Sequence, residues 1–335
     1  MIKEAIAHVA RGNDLTPEAM AEAMAEVMSG QATPAQIGGL LTALHIKGES
    51  AGEIAGAART MRAKATKVEA RTRGLLDTCG TGGDGKRTFN ISTAVAFVAA
   101  GAGVPVAKHG NRAVSSGCGS ADVLEALGIR IDLDAAGAAA CIDEAGVGFL
   151  FAPIFHTAMR YAVGPRRELG FRTIFNVLGP LANPANVRRQ VIGVYEEALA
   201  RTMARVLSSL GTDHSLVVHG AGGADELTLE GPGLVCECRG DEIVEYRVSP
   251  SELGLAEAPL GDLAGGDARR NAEILLAVLG GRMGPQRDAV LLNAAAAFVA
   301  ADRAADFREG VVLAAESIDS GAALSALERL RRAAG

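Results

Sequence analysis

The residues best suited to chemistry lie in one glycine-rich run, Gly80-Thr81-Gly82-Gly83-Asp84-Gly85, which an apolar segment precedes and Asn90-Ile91-Ser92-Thr93 follows. Glycine lets backbone N–H groups come close to a phosphate, and threonine or serine hydroxyls can donate to it or ligate a cation. The run fits two phosphate cradles loosely. Gly80-x-Gly82-x-x-Gly85 satisfies a dinucleotide fingerprint, but that reading wants an acid at the end of the next strand, where Lys108-His109-Gly110-Asn111-Arg112 stands. Gly80-x4-Gly85-Lys86 satisfies most of a P-loop, except that position 87 is Arg instead of the magnesium-binding Ser or Thr. A plain turn is the third reading. A strand before the glycines and a helix opening after them favour an anion site, with free N–H groups facing one point.

A second polar cluster closes the next apolar run: Lys108, His109, Gly110, Asn111, Arg112, Ala113, Val114, Ser115 and Ser116, then Ser120 and Asp122. Loops at the carboxyl ends of neighbouring parallel strands face one crevice, so the two clusters together read as a phosphate clamp. Asp225-Glu226 follows a further apolar run over 215–219. Adjacent acids are usually just solvated, and only that position points to a metal. His8, His45, His156, His214 and His219 show no recognisable partners and read as structural.

With these motifs in order, the chain resembles the anthranilate phosphoribosyltransferases of tryptophan biosynthesis, members of the nucleoside-phosphorylase-like class. The carriers are 77–84 with 88–93, the segment 108–122, Arg166-Arg167-Glu168-Leu169-Gly170, 173–176 with Leu178-Gly179-Pro180-Leu181, and Asp225-Glu226. The resemblance implies Mg²⁺-assisted transfer of a phosphoribosyl group from phosphoribosyl pyrophosphate to the amino nitrogen of anthranilate. It implies that Gly80, Gly83, Asp84, Thr88, Asn90, Ile91, Ser92, Thr93, Lys108 and Ser120, with the 109–116 stretch, hold the donor. Gly80, His109, Asn111 and Arg166 would hold anthranilate, and Ser92, Asp225 and Glu226 would serve the magnesium, two ions per subunit. A homodimer joined through helical domains is also implied. The chain departs from the family pattern at Ala162-Val163-Gly164-Pro165, ahead of Arg166, and at Gly222 and Ala224, where Asp and Leu are usual. A pyrimidine nucleoside phosphorylase and a non-enzymatic nucleic-acid-binding relative are the competing readings.

The elements that must position these residues fall into two sets. Thr16-Pro17-Glu18, Thr33-Pro34 and Ser50-x-x-Glu53 mark helix starts, so 1–72 is expected to be an all-helical domain. From 73 to 335 short apolar runs alternate with helical stretches, the pattern of an α/β domain with a mostly parallel central sheet. Strands are expected over 75–79, 104–108, 129–133, 147–151, 190–194 and 215–219, with an antiparallel edge over 234–238 and 243–248. A segment near 156–186 breaks the rhythm and is expected to cross between the domains. At 335 residues, 49% hydrophobic, the chain can bury a large core. Its net charge of -6 gives no global field to gather nucleic acid or an anionic membrane surface, so an anion must be captured locally. The start lacks an apolar export segment, and the five cysteines lack zinc-site spacing, which together suggest reduced thiols in the cytoplasm.

Overall fold

The computed structural model describes residues 1–113 and 117–335. Four helices come first: α1 (Ile2–Val9), α2 (Pro17–Met28), α3 (Pro34–Lys47) and α4 (Ala51–Lys64). Their starts follow from local chemistry. Thr16 Oγ1 accepts from Ala19 N–H at 3.2 Å, and Thr33 with Gln36 and Ser50 with Glu53 close capping boxes. Glu53 is fully buried, yet Leu15 N–H and Lys47 Nζ satisfy it, at 3.0 and 2.9 Å.

The remainder is built on strands β1 (Leu76–Asp77), β2 (Val106–Gly110), β3 (Val147–Phe151), β4 (Arg189–Gly193), β5 (His214–His219), β6 (Gly233–Arg239) and β7 (Glu242–Val248). Between them run α5 (Ile91–Gly101), α6 (Ser120–Ala126), α7 (Ala135–Ala145), α8 (Ala152–Phe155), α9 (Arg160–Leu169), α10 (Phe175–Leu181) and α11 (Glu197–Ser209), and after them α12 (Ala268–Leu279), α13 (Pro285–Ala300), α14 (Phe307–Asp319) and α15 (Ala322–Ala334). The sheet order is β3-β2-β1-β4-β5-β6-β7, parallel through β5 and antiparallel for the last two. Strand order reverses between β1 and β4, so a crevice opens at their carboxyl ends, and the glycine run leaves β1 into it.

Two strand expectations change. The segment 129–133 is no strand: Ile129, Ile131 and Leu133 are buried and the residues between them exposed, but no neighbour pairs with it. Period-two burial alone imitates a strand where a connection lies flat on a core. Strand β1 is also shorter than 75–79, because Lys108 takes the Thr78 carbonyl, at 3.3 Å, as the chain turns into the glycine run.

One sheet face is covered by α5 and α12 to α15. The other packs on α11 and on the helical layer, where Leu44 and Ile54 share a core with Ile192 and Val217. In the segment near 156–186, α9 packs on α3 and α10 on α4. Among the described residues no single helix is long and apolar enough to cross a membrane. His214 does have partners: its ring lies 2.9 Å from Asp302 and 3.0 Å from Glu237, at the start of β5 and away from the crevice.

Candidate active site

At the crevice the glycine run is fixed from below by β4. Thr81 donates to the Gly193 carbonyl from its N–H at 2.8 Å and from its hydroxyl at 3.2 Å. The backbone then passes through left-handed conformations at Gly82, Gly83 and Gly85, which is why no bulkier sequence would trace it. Facing it are the two adjacent acids. Gly82 N–H donates to Asp225 Oδ2 at 2.7 Å, and Asp225 N–H donates to Asp84 Oδ2 at 3.2 Å. Glu226 accepts from the Thr88 hydroxyl at 3.2 Å and from Ser92 N–H, at the start of α5, at 3.4 Å. Three carboxylates therefore meet at the positive end of a helix.

The crowding has an electrostatic cost. Burial, and then the neighbouring Asp84 carboxylate, push Asp225 from 3.8 up to about 7. Glu226 is raised well above the ordinary range by burial first, then by Asp225 and Asp84. The donors present are carboxylate and hydroxyl oxygens, with Ser92 Oγ 3.3 Å from Lys108 Nζ, a hard set suited to Mg²⁺. Among the described residues no three acids, imidazoles or thiols are placed to hold a metal ion by themselves.

Two glycines allow the acids to sit so close. A Cβ at Gly193 would collide with the Asp225 carbonyl oxygen, and one at Gly220 with that of Glu226. Asn293 on α13 holds the next residue, accepting from Leu227 N–H at 3.0 Å and donating to its carbonyl at 2.7 Å. An amide in an otherwise alanine-rich helix was the one signal in the sequence for that support.

The second cluster divides. Lys108 is 3% exposed and donates to the Thr78 carbonyl, the Thr78 hydroxyl and the Ser92 hydroxyl, each at 3.3 Å. Asp77 beneath it rises to about 6 through burial, opposed by the Lys108 charge. His109 Nδ1 lies 3.0 Å from the Gly179 carbonyl, so Nδ1 carries the proton and Nε2, which has no hydrogen-bond partner among the described residues, carries a lone pair. Burial and then the His156 ring, 5.1 Å away, hold His109 down to about 3.

Arg112 turns to α6, 3.0 Å from Asp122 and 2.9 Å from Glu125. Asn111 Oδ1 accepts from Arg112 N–H at 2.7 Å, and the Asn111 carbonyl accepts from the Ser120 hydroxyl at 3.3 Å. Gly110 keeps Ser120 close, since a Cβ there would strike the Ser120 hydroxyl. Ala113 N–H is held by Asp122 at 3.0 Å. Val114, Ser115 and Ser116 lie outside the described residues. Asn90 does not cap α5 with its side chain: its amide reaches the Cys118 carbonyl at 3.2 Å and its Oδ1 accepts from Asn271 at 2.9 Å. Ile91 and Thr93 are buried under the helix, so only their backbones are available to a ligand.

Arg166 lies on α9, which carries Pro165 within it, and its guanidinium stacks 5.1 Å from the Phe175 ring of α10. Burial lowers its pKa, and among the described residues no carboxylate pairs with it. Thus Asp84, Thr88, Ser92, Lys108, Asp225, Glu226 and the glycines meet directly, while His109 and Arg166 are anchored on α10, at Gly179 and Phe175. Arg172, which sequence reading did not single out, donates to the Gly83 carbonyl.

The glycosyl transferase family model for an a/b domain matches residues 72–324, and the model for its helical bundle domain matches residues 3–65. The anthranilate phosphoribosyltransferase of Roseiflexus castenholzii is 61% identical over 332 residues, 98% of this chain and 97% of that one.

The chain belongs to the anthranilate phosphoribosyltransferase family.

Within the family, the structure from Thermus thermophilus superposes with a TM-score of 0.94 at 46% identity, covering 98% of this chain and 99% of that chain. The Saccharomyces cerevisiae member, solved in complex with phosphoribosyl pyrophosphate and Mg, gives 0.91 at 29% identity, covering 99% and 97%. Relatives matched over 96–97% of their length carry the anthranilate phosphoribosyltransferase name, and the phosphorylase and nucleic-acid-binding readings lose their ground.

Proposed function

We propose that this protein transfers the phosphoribosyl group of phosphoribosyl pyrophosphate to the amino nitrogen of anthranilate, giving N-(5-phosphoribosyl)anthranilate and pyrophosphate, the second step from chorismate to tryptophan. The observation that carries the reading is the set of crowded carboxylates Asp84, Asp225 and Glu226 opposite the glycine run, within a family whose yeast member binds this donor with Mg.

The acceptor nitrogen is neutral at pH 7, so the site needs no strong base to free its lone pair. Gly80, Gly83, Thr88 and the start of α5 cradle the donor's phosphates, and Lys108 lies beside Ser92 to face the charge that builds on the departing pyrophosphate. Ser92, Asp84, Asp225 and Glu226 offer oxygens to Mg²⁺, which supplies further neutralisation of the leaving group when bound. Arg166 grips the anthranilate carboxylate, because a planar guanidinium matches it with paired hydrogen bonds. His109 stays neutral and presents Nε2 as an acceptor. Positioning of nitrogen against the ribose carbon then does most of the work, aided by closure of the helical layer on the sheet.

Two Mg²⁺ ions per subunit, a cytoplasmic location and a homodimer complete the reading. The dimer is supported by apolar side chains on the helical layer and its partner helix α9, with Ile46 79% exposed and Val163 52%. The test is direct: purified protein with Mg²⁺, anthranilate and the donor should deplete anthranilate fluorescence. Unchanged fluorescence, with phosphorolysis of thymidine or uridine instead, would overturn the assignment.

A further inference from the structure

Arg172 lies in the connection after α9, two residues beyond Gly170, which ends that helix with a φ of +69°. Its Nη2 donates to the carbonyl of Gly83, the residue of the glycine run with a φ of +80°. The fit is close: a Cβ at Gly83 would stand 3.8 Å from Arg172 Nε and 3.9 Å from Nη2. The guanidinium lies 4.0 Å over the ring of Tyr195, which follows β4, and β4 is the strand whose Gly193 carbonyl holds Thr81. The preceding residue, Phe171, stacks on His45 near the end of α3, with ring centroids 4.5 Å apart. Among the described residues no carboxylate pairs with Arg172, so its charge is directed at a carbonyl and an aromatic face.

We infer that Arg172 is a positioning residue for the phosphoribosyl donor: it fastens the Gly82-Gly83 turn to the segment that carries Arg166, with Tyr195 as its seat. A run of glycines loses more conformational freedom on ordering than any other sequence. An anchor that holds the turn in the free protein spares the donor that cost, and preorganisation of this kind appears as affinity. The anchor also joins the donor loop to α9 and, through Phe171 and His45, to the helical layer, so acceptor and donor sides share one support.

The inference rests on the proposed transferase reading, and the experiment separates the two. If the wild type does not turn over, the reading fails and the role of Arg172 with it. In an active wild type, Arg172→Ala should raise the donor KM by about tenfold, a change of about 1.4 kcal/mol, and leave the anthranilate KM within about twofold. Arg172→Lys, which keeps a donor but loses the planar stack, should fall between. Tyr195→Ala should raise the same constant, and the double variant should add little to Arg172→Ala. An unchanged melting temperature in these variants excludes general unfolding as the cause. A donor KM within about twofold of wild type, or equal rises in both constants, would overturn the inference, and additive effects would remove Tyr195 from it.

Discussion

Asp225→Asn should make the metal-free protein more stable while removing its response to Mg²⁺. Burial and then Asp84 hold Asp225 up at about 7 against an ordinary 3.8, a shift of about three pH units. At about 1.36 kcal/mol per unit, the cost of ionising it is on the order of 4 kcal/mol. The folded pKa lies above the unfolded one, so the folded state holds the proton more tightly. The cost is absent below about pH 4, grows as pH rises toward 7 and is complete above it. Asparagine keeps the shape and an oxygen for Gly82 N–H, but Glu226 and Asp84 remain, so only part of the cost is recovered, about 1–2 kcal/mol or a few degrees of melting temperature. Calorimetric melting at pH 5 to 8, with and without Mg²⁺, measures this. Without metal the wild type should lose stability from pH 5 to 8 by more than the variant does, and at pH 8 the variant should melt higher. Mg²⁺ should raise the wild type and barely move the variant. A variant that melts below the wild type at pH 8 without metal, or an equal Mg²⁺ shift in both, would refute the argument from carboxylate crowding.

Arg166→Ala removes a half-buried guanidinium with no carboxylate of its own, and should raise the anthranilate KM roughly thirtyfold while the donor KM stays within about twofold; steady-state kinetics showing equal effects would sink the assigned role. Gly193→Ala places a Cβ against the Asp225 carbonyl, so kcat/KM should fall by about a hundredfold or more in a protein whose circular dichroism is unchanged, and retained activity would show that the acid loop can shift freely. Because burial holds His109 down to about 3, the pH profile of kcat should show no limb near the ordinary imidazole value of 6.5, and a limb there that disappears in His109→Gln would contradict the neutral, Nδ1-protonated ring.

Much of the candidate site is written locally in the sequence. The glycine run, the acids at 225–226 and Lys108 stand out by their place: the first two follow the strands β1 and β5, the run is followed by the start of α5, and Lys108 lies within β2 near its carboxyl end. What escaped are residues whose role depends on a partner far along the chain. Arg172 is one arginine among many in the sequence until the fold sets it, still exposed, against Gly83 and Tyr195. Asn293 reads as a blemish in an apolar helix until Leu227 is laid beside it. Arg112 reads as a phosphate ligand from its serine neighbours, and in the fold α6 also sets Asp122 and Glu125, 10 and 13 positions on, against it. His214 reads as solitary, though Asp302 lies 88 positions away in sequence.

The sequence by itself determined the starts of α2, α3 and α4, through caps that act over three residues, and the strand-to-glycine-to-helix passage proposed to cradle an anion, through backbone conformations only glycine adopts readily. It could not determine which period-two run joins the sheet, since Ile129, Ile131 and Leu133 alternate like a strand and pair with nothing. Nor could it show that Asp84, Asp225 and Glu226 meet, because their charges repel and no local rule would bring them together. Only the packing of β1 against β4, with Gly193 and Gly220 leaving room for the loop, brings the half-buried Asp84 and Glu226 against the buried Asp225. The proposed magnesium role rests on that enforced repulsion, which only the tertiary structure creates.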